Sequence, residues 1–369
     1  MNQDLLYQWI ELIQTQFYNL GKWQAIGLAI YSYGVVLAGH CQGSKVAEAL
    51  GSFGRLTNLE RRFRRWLNNR QIDLEACFQV WSFWVWKSLD VPRATLLVDE
   101  TKIADRIAVM MVSVAYEGRA IPLVWKCYRA NSAADYPQQG QVLMIWGLLA
   151  RIAEALPANS RPIVQMDRGL GHSSAMLKAL ATLPITFQVR VKKNASFISR
   201  RGHRCLLQDL IKPGEQVTCH GILFPASNVY KQVTVTVHLI WEVGQKEPWC
   251  LVTNGKQVKG AVYALRMWQE ESFRDLKSGG WQWHCTYVTS PDHAQHLLLV
   301  LALAYAWMLT QGTLVLNGDA TMQAEVYDGK HNKYSIFRSG LRWFRRMALD
   351  HMEKIYVGLC FIPRFKPKP

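Results

Sequence analysis

Residues 261–280 read AVYALRMWQEESFRDLKSGG, and the chain can be interpreted outward from this stretch. If the stretch is an α-helix, successive residues lie about 100° apart around its axis. One side of the helix, within about 60° of Tyr263, then carries a carboxylate and three cations, which are Glu270, Arg266, Arg274 and Lys277. Ser278, Gly279 and Gly280 follow and end the helix.

The same spacing separates two adjacent carboxylates. Glu271 points about 80° to the other side of Tyr263, so Glu270 is the carboxylate that belongs to the row of cations. A charged stripe of this kind is often only a solvated helix face, and spacing alone leaves that interpretation open beside a binding role.

Composition limits the classes of function. The chain has 369 residues, half of them hydrophobic, which suggests two or three domains with a sizeable core. Its 43 Lys and Arg residues against 27 Asp and Glu residues give a net charge of +16. Such an excess favours a polyanionic partner, either nucleic acid or an anionic membrane surface.

Membrane insertion and secretion are both disfavoured. The best apolar run, 297–309, is shorter than the roughly 20 residues of a membrane span, so it indicates a buried core helix. No basic segment precedes an apolar one at the N-terminus, and eight cysteines occur without a CxxC pair. We therefore expect a reducing cytoplasm with access to DNA. The spacing of His203, Cys205, Cys219 and His220 matches no familiar zinc motif, so zinc is disfavoured.

Residues 1–90 are predicted to be mostly helical. Ser44 can cap a short helix, KVAEALG, and a second helix, LERRFRRWLNN, follows after a turn. The second helix has an apolar face of Leu59, Phe63, Trp66 and Leu67, which leaves Arg61, Arg62, Arg64 and Arg65 for solvent or phosphate. Two short helices, the second basic, are typical of a helix-turn-helix-like DNA contact. A helical bundle with a solvated arginine face is the alternative.

The pattern changes at residue 94. Three strands are predicted at 94–104, 108–118 and 119–130, with a hairpin turn at Glu117 and Gly118. A helix (138–156), a strand (161–169), a helix (173–183) and a strand (185–193) follow. This order predicts an α/β fold with a mixed sheet flanked by helices.

Residues 195–256 are predicted to form a β-rich insertion, and the basic segment at its near edge includes Lys192 and Lys193. The core would resume at 257–312, so that its first part is 91–194. A basic C-terminal region, 313–369, contains a helix whose arginines share one face, Arg338, Arg342, Arg345 and Arg346, and ends in the tail PRFKPKP. Phosphate contact and a plain surface helix are equally compatible with that face.

Two carboxylates follow buried strands. Asp99 comes after the apolar run TLLV, and Asp167 comes after PIVQM. Burying a carboxylate without a partner is costly, although an aspartate at a strand end is often only a turn former. Together with Glu270 they offer three hard oxygen ligands, which suit Mg²⁺ or Mn²⁺. A pair of such ions can hold the attacking and leaving oxygens of an in-line phosphoryl displacement.

These residues carry a family resemblance, which covers about residues 90–310. The chain resembles bacterial insertion-sequence transposases of the DDE type, in particular the IS4-like group, in Asp99, in Asp167 followed by Arg-Gly, and in Tyr263-x2-Arg266-x3-Glu270-x6-Lys277. The four-residue signature matches at every spacing. The resemblance implies an RNase H-like catalytic domain, two Mg²⁺ or Mn²⁺ ions per active site, and a homodimer that pairs two transposon ends.

The resemblance also implies roles for single residues. Asp99, Asp167 and Glu270 would be the metal-binding catalytic triad. Tyr263, Arg266 and Lys277 would contact phosphates of double-stranded DNA, either the terminal inverted repeats or the target. Further DNA contacts are expected from the basic residues Arg274, Arg61, Arg62, Arg65, Lys192, Lys193, Arg342 and Arg345.

The implied reaction is cut-and-paste transposition. Water nicks the transposon end and frees a 3′-hydroxyl, which then attacks. In relatives it attacks the opposite strand and forms a hairpin, which is reopened before strand transfer into target DNA. A flipped base in such a hairpin stacks on aromatic side chains, for which Trp268, Trp281 and Trp283 are candidates, although packing is the more common role of a tryptophan. A catalytically inactive DNA-binding derivative and a metal-dependent nuclease remain as alternatives.

Overall fold

The computed structural model describes residues 3–89, 91, 93–132, 136, 140–157, 159–225, 229–255, 258–327 and 334–363. The end of the basic tail, 364–369, lies outside these ranges. The α-helices within them are α1 (Gln3–Gln16), α2 (Lys22–Ala38), α3 (Gly43–Ala49), α4 (Leu56–Leu67), α5 (Leu74–Lys87), α6 (Gly140–Ala155), α7 (Arg168–Gly171), α8 (Ser174–Ala181), α9 (Met267–Arg274), α10 (Pro291–Asn317), α11 (Ala320–Ala324) and α12 (Ile336–Asp350).

All strands of the described residues belong to one ten-stranded sheet, whose order is β3-β2-β1-β4-β5-β10-β9-β8-β6-β7. The strands are β1 (Thr95–Ile103), β2 (Ile107–Tyr116), β3 (Arg119–Arg129), β4 (Ile163–Met166), β5 (Thr186–Val191), β6 (Ser196–Ser199), β7 (Arg204–Leu206), β8 (Gln216–Leu223), β9 (Val233–Ile240) and β10 (Trp249–Thr253).

The first five strands form the mixed sheet that the sequence predicts. β1, β4 and β5 are parallel, whereas β2 and β3 continue the sheet from β1 in antiparallel hairpins. Glu117 and Gly118 both have positive φ, at 41° and 78°, as a two-residue hairpin turn requires. The predicted α/β order from 94 to 193 is therefore confirmed, and it is consistent with an RNase H-like fold.

The β-rich part, predicted as an insertion, continues the same sheet. β10 pairs with β5 in antiparallel orientation, and β9 and β8 follow outward. Without β10, the outer edge of β5 would expose its unpaired backbone N–H and C=O groups. Strand patterns in a sequence do not identify the partner of each strand, so this continuity was not predictable from the sequence.

The longest helix lies at the centre of the core. α10 has 27 residues, twice the apolar run that the sequence marks, and by length and composition it is compatible with a membrane span. Its most apolar window is 94% buried inside the molecule, which identifies it as a core helix. Trp9 of α1 stacks on Trp307 of α10 at 4.1 Å between ring centroids. The N-terminal helices therefore share one hydrophobic core with the part of the chain that forms the sheet.

Two helices of the basic N-terminal part test the sequence patterns directly. α4 buries the predicted face, Leu59, Phe63, Trp66 and Leu67, and leaves Arg61, Arg62 and Arg65 exposed. The prediction that Ser44 caps the preceding helix is wrong. α3 already begins at Gly43, so Gln42 is its N-cap residue and Ser44 lies in its first turn.

Candidate active site

Asp99 and Asp167 stand at matching positions of neighbouring parallel strands. Val98 of β1 is paired with Met166 of β4, and each aspartate is the next residue along its strand. Adjacent strands lie about 4.8 Å apart, so the two carboxylates are neighbours where β4 ends. Accordingly, the charge of Asp167 contributes to raising the pKa of Asp99. The prediction that Asp99 also follows the end of its strand is wrong, because β1 continues to Ile103 in its pairing with β2.

The Asp99 carboxylate is buried, and its surroundings destabilise its charged form. Burial raises its pKa to about 7, although the guanidinium of Arg266 acts in the opposite direction. The negative charge of Glu270 raises it further. The amide of Glu100 donates a hydrogen bond to Asp99 Oδ1 at 2.9 Å. A carboxyl group in this state is stabilised as an anion when a further cation comes close.

Asp167, a candidate metal ligand, also forms the turn after its strand. Its Oδ1 accepts a hydrogen bond from the amide of Leu170 at 2.9 Å, so Asp167 is the N-cap of α7. α7 packs closely on β5 at Gly171, where a Cβ atom would lie 1.7 Å from Val189 Cγ1. The short turn after Asp167 thus fixes the carboxylate at the edge of the sheet.

The stretch 261–280 is not a single α-helix, so this prediction is wrong. It begins as a 3₁₀-helix, Gly260–Arg266, continues as α9, and ends in a π-helical turn, Asp275–Gly279. Within that turn Lys277 has φ −87° and ψ −113°, outside the helical region. The angular offsets of an ideal helix therefore do not place these side chains, and tertiary contacts do.

Buried glutamines and a tyrosine hold the 3₁₀-helix over the sheet. Gln165 Nε2 donates to the carbonyl of Val262 at 2.8 Å, and Gln188 Nε2 donates to that of Lys259 at 3.0 Å. The hydroxyl of Tyr263 donates to the carbonyl of Met166 at 3.0 Å. Neither glutamine is among the site residues predicted from the sequence, although each is a polar residue inside an apolar strand. Such a residue needs a hydrogen-bond partner, and that was the available signal.

Tyr263 itself is buried, and burial raises the pKa of its hydroxyl. In this state the hydroxyl is engaged by the strand that leads to Asp167. Its contact with DNA phosphate stays a prediction, and the observed geometry gives the side chain a positioning role.

Arg266 is shared by two acids of the predicted triad. Its Nη1 lies 2.9 Å from Asp99 Oδ2 and 3.8 Å from Glu270 Oε1. Half of the Glu270 side chain is exposed, whereas Asp99 is buried. Among the described residues, no three Asp, Glu, His or Cys side chains lie close enough together to hold a metal ion. The three acids are therefore near one another but are not arranged around a common metal position. The guanidinium of Arg266 supplies positive charge between two of them.

The donor set nevertheless suits a hard divalent cation. Asp99 and Asp167 are held by neighbouring strands, and Glu270 lies beside them with half of its side chain exposed. Because the pKa of the buried Asp99 is raised, added positive charge would stabilise its anionic form. Carboxylate oxygens are the ligands that Mg²⁺ and Mn²⁺ prefer.

Lys277 contacts β1, the strand that contains Asp99. Its Nζ donates to Thr101 Oγ1 at 2.6 Å, and Thr101 is two residues beyond Asp99, on the same face of β1. Burial lowers the pKa of the Lys277 ammonium, and the charge of Glu270 acts in the opposite direction. The side chains of Arg266, Glu270 and Lys277 therefore meet the Asp99 edge despite the irregular helix.

Glu271 belongs to a separate network on the other side of α9. It lies 3.1 Å from Arg274 and 3.8 Å from Arg119 of β3. Arg119 also binds Asp275, which accepts a hydrogen bond from Tyr305 at 3.2 Å. Arg274, predicted on the catalytic stripe, is thus paired with the structural glutamate, while 66% of its side chain is exposed. Its contact with DNA stays a prediction.

The remaining predicted DNA contacts are spread over the surface. Lys192 and Lys193 are exposed just beyond β5. Arg342 lies 4.5 Å from the ring centre of Tyr334. Arg345 packs against Gly39, and burial lowers its pKa. None of these residues contacts the acids of the triad in the hydrogen bonds and ion pairs of the described chain.

The tryptophans differ in availability for stacking on a base. Trp281 and Trp283 are fully buried, so both pack in the core. Trp268 is partly exposed on α9, within two residues of Glu270. Of the three candidates it is the one with accessible surface.

A comparison with protein families bears directly on this site. The model of a family described as "Transposase DDE domain" matches residues 99–307, which is more than half of the chain. The matched range begins at Asp99, includes Asp167 and Glu270, and ends inside α10. No curated protein matches the chain. Because the match covers more than half of the chain, the chain belongs to the transposase DDE domain family, whose members are enzymes of DNA phosphoryl transfer.

Proposed function

We propose that this DDE transposase is a cut-and-paste enzyme of the IS4-like group, which cleaves the ends of an insertion sequence and joins them to target DNA. It would act in the bacterial cytoplasm on nucleoid DNA. The observation that carries the proposal is the register of β1 and β4, which sets Asp99 beside Asp167, with Glu270 sharing the guanidinium of Arg266 with Asp99.

Enzymes of this family use divalent metal ions, and we propose two Mg²⁺ or Mn²⁺ ions held by Asp99, Asp167 and Glu270. Bound ions supply positive charge that activates the attacking oxygen and stabilises the leaving one. For this, Glu270 turns inward from its exposed position and Arg266 releases the two carboxylates. The family match and the raised pKa of Asp99 support this assignment.

The cations beside the acids then become ligands of DNA. Once displaced from Asp99, the guanidinium of Arg266 can donate two hydrogen bonds to a DNA phosphate, in the bidentate geometry that Arg favours. The ammonium of Lys277 is hydrogen-bonded to Thr101, which lies two residues beyond Asp99 on β1. It offers a second cation for the same DNA strand. Of the three candidate tryptophans, the partly exposed Trp268 is the one we propose to stack on a base if hairpin ends form.

Double-stranded DNA is the substrate on this proposal, as terminal inverted repeats and as target. The exposed arginines of α4, Arg61, Arg62 and Arg65, offer a basic surface on the N-terminal helices. We further propose that a homodimer forms on DNA, so that two transposon ends are cleaved in one complex. Sedimentation of the enzyme with and without end DNA tests the dimer.

The function is tested by end cleavage and strand transfer in Mg²⁺. Inverted repeats in the DNA that flanks the gene supply the substrate. We expect the wild-type enzyme to cleave the ends and to join them to target DNA. Asp99→Ala, Asp167→Ala and Glu270→Gln should abolish both steps.

The two adjacent glutamates provide a matched pair. Glu270→Gln removes the charge that Arg266 shares with Asp99, whereas Glu271→Gln affects only the pair with Arg119 and Arg274. We expect Glu270→Gln to abolish cleavage and Glu271→Gln to retain most of it. Equal losses in the two variants contradict the assignment of the third ligand.

The same assay separates the competing functions. An inactive DNA-binding derivative shifts end DNA in a gel and never cleaves it. A metal-dependent nuclease cleaves DNA and yields no joined product. Cleavage followed by joining in the same reaction is expected of the transposase alone.

A further inference from the structure

Three cations converge on one carboxylate beside Asp167. Arg168 Nη1 and Arg190 Nη2 lie 3.0 Å and 2.7 Å from the same atom, Glu247 Oε1. Lys193 Nζ lies 4.0 Å from Glu247 Oε2. The group therefore holds three positive charges around one negative charge, and all four side chains keep some contact with solvent.

The cations and the carboxylate come from different kinds of element. Arg168 begins α7 immediately after Asp167, Arg190 is part of β5, and Lys193 follows the end of that strand. Glu247 comes from the loop between β9 and β10, which is braced by a hydrogen bond from Trp241 Nε1 to the carbonyl of Gln245 at 2.9 Å. The cations are thus built into the frame of the active site, whereas the anion reaches it from a surface loop.

The cluster adjoins the catalytic edge. In the strand order β1-β4-β5, Asp167 follows the middle strand, Arg266 approaches from the β1 side, and Arg190 stands on the β5 side. Burial raises the pKa of Tyr263, and Arg190 is close enough that its charge acts in the opposite direction on this residue, whose hydroxyl donates to the carbonyl of Met166. Positive groups therefore flank Asp167 on both sides.

Geometry of this kind suits a phosphate as well as a carboxylate. Two guanidinium groups that point at one oxygen can bind either anion, and both bonds are charge-assisted. One carboxylate neutralises only one of the three cations, and partly exposed ion pairs contribute little to stability. A DNA phosphate can therefore replace Glu247 without a large cost to the fold.

We propose that Arg168, Arg190 and Lys193 form a binding site for a DNA backbone phosphate, and that Glu247 occupies this site in the DNA-free enzyme as an internal competitor. The inference rests on the proposed function in that DNA is the ligand. The phosphate lies on the β5 side of Asp167, apart from the scissile phosphate at the triad. DNA entry then requires the β9–β10 loop to release the three cations.

The test measures DNA affinity without catalysis. Binding of a labelled double-stranded oligonucleotide is followed by fluorescence anisotropy in EDTA, with Glu247→Gln compared to wild type. We expect about fivefold tighter binding, because in the variant a DNA phosphate no longer has to displace a carboxylate from the three cations. The control is Glu242→Gln, which makes the same change in net charge at an exposed position of the same loop. It should change affinity much less.

A double-mutant comparison distinguishes the competitor from a simple structural contact. Arg190→Gln should weaken DNA binding more in the Glu247→Gln background than in the wild type, where Glu247 already engages Arg190. Thermal unfolding confirms that each variant is folded.

Unchanged or weaker binding by folded Glu247→Gln, or tightening equal to that of Glu242→Gln, overturns the inference. Because no cleavage is measured, a protein that transposes but shows no Glu247 effect refutes this inference alone. A protein that binds as expected and never joins DNA refutes the proposed function alone.

Discussion

Asp99 shows how a single residue joins fold and chemistry. Its place directly after a buried apolar run is visible in the sequence, and an acid there needs a partner, although β1 in fact continues beyond Asp99 to Ile103. Its sharing of Arg266 with Glu270 is not visible there, since the three residues meet only when the irregular helix folds over β1. The resemblance therefore proposes the triad, which stays a prediction, whereas the ion pairs that join Asp99 and Glu270 through Arg266 were not predictable from the sequence.

The strained Asp99 carboxylate gives a pH-dependent stability in the metal-free enzyme. The folded pKa is about 7, against about 3.9 in the unfolded chain. The stability contributed by this group is full below pH 4 and is lost as the pH rises through 7. Asp99→Asn removes that loss. We expect the free energy of unfolding of the variant, relative to wild type, to increase by on the order of 2 kcal/mol between pH 5 and pH 8.

Urea unfolding in EDTA at the two pH values measures this difference. A relative stability that is constant between pH 5 and pH 8 would show that burial does not raise the pKa of Asp99.

At the scale of elements, the sequence predicted strands well and the catalytic helix poorly. Apolar runs bounded by turns located β1 to β5 because each strand is defined by local pattern. The stretch 261–280 has the residues of a helix, but its type is set by contacts with other elements. Gln165 and Gln188 bind its 3₁₀ part, and Thr101 binds Lys277 where the helix is broken. A single helical period cannot represent such an element.

The crossing of α10 and α12 depends on two glycines. A Cβ atom at Gly340 would lie 1.8 Å from the carbonyl oxygen of Met308 and 2.7 Å from the amide nitrogen of Gly312. Because both contacts are with backbone, neither can move aside cheaply. We expect Gly340→Ala to lower the free energy of unfolding by about 3 kcal/mol or more.

The control is Gly147→Ala on α6, where the nearest atom, Arg151 Nη1, is 4.0 Å from the new Cβ. Alanine there should raise stability by about 0.5–1 kcal/mol, because it reduces the entropy lost on folding. Urea unfolding of both variants measures the contrast. Similar changes in the two variants would mean that the helices do not cross as closely as described.

At the scale of the molecule, the predicted parts are joined by one sheet and one core. β10 is hydrogen-bonded to β5, and α1 packs on α10 through Trp9 and Trp307. Sequence boundaries were read from changes of pattern, which mark where elements change but not where packing ends. The change of pattern therefore predicts a β-rich insertion at residues 195–256 but does not indicate that its strands extend the core sheet.

A continuous sheet has a measurable consequence. We expect the backbone amides of β5 and β10 to open with similar free energies in native-state hydrogen exchange, because the two strands share one ladder of hydrogen bonds. The measurement is mass spectrometry of peptides that contain 186–191 and 249–253. Opening of β10 at a much lower free energy than β5 would indicate that residues 195–256 form an independent unit.

The net charge of +16 makes the surface basic, and α4 exposes four arginines away from its buried face, Arg61, Arg62, Arg64 and Arg65. If Arg61, Arg62 and Arg65 contact phosphates, replacing all three with alanine weakens DNA binding and makes the plot of log affinity against log salt less steep by up to about 2.7. A variant with the same loss of charge at the exposed Arg161, Lys212 and Lys231 should change the slope little. Anisotropy titrations at several salt concentrations compare the two. Equal slopes in the two variants would show that the arginine face of α4 is only solvated, and that the DNA path runs over other basic segments.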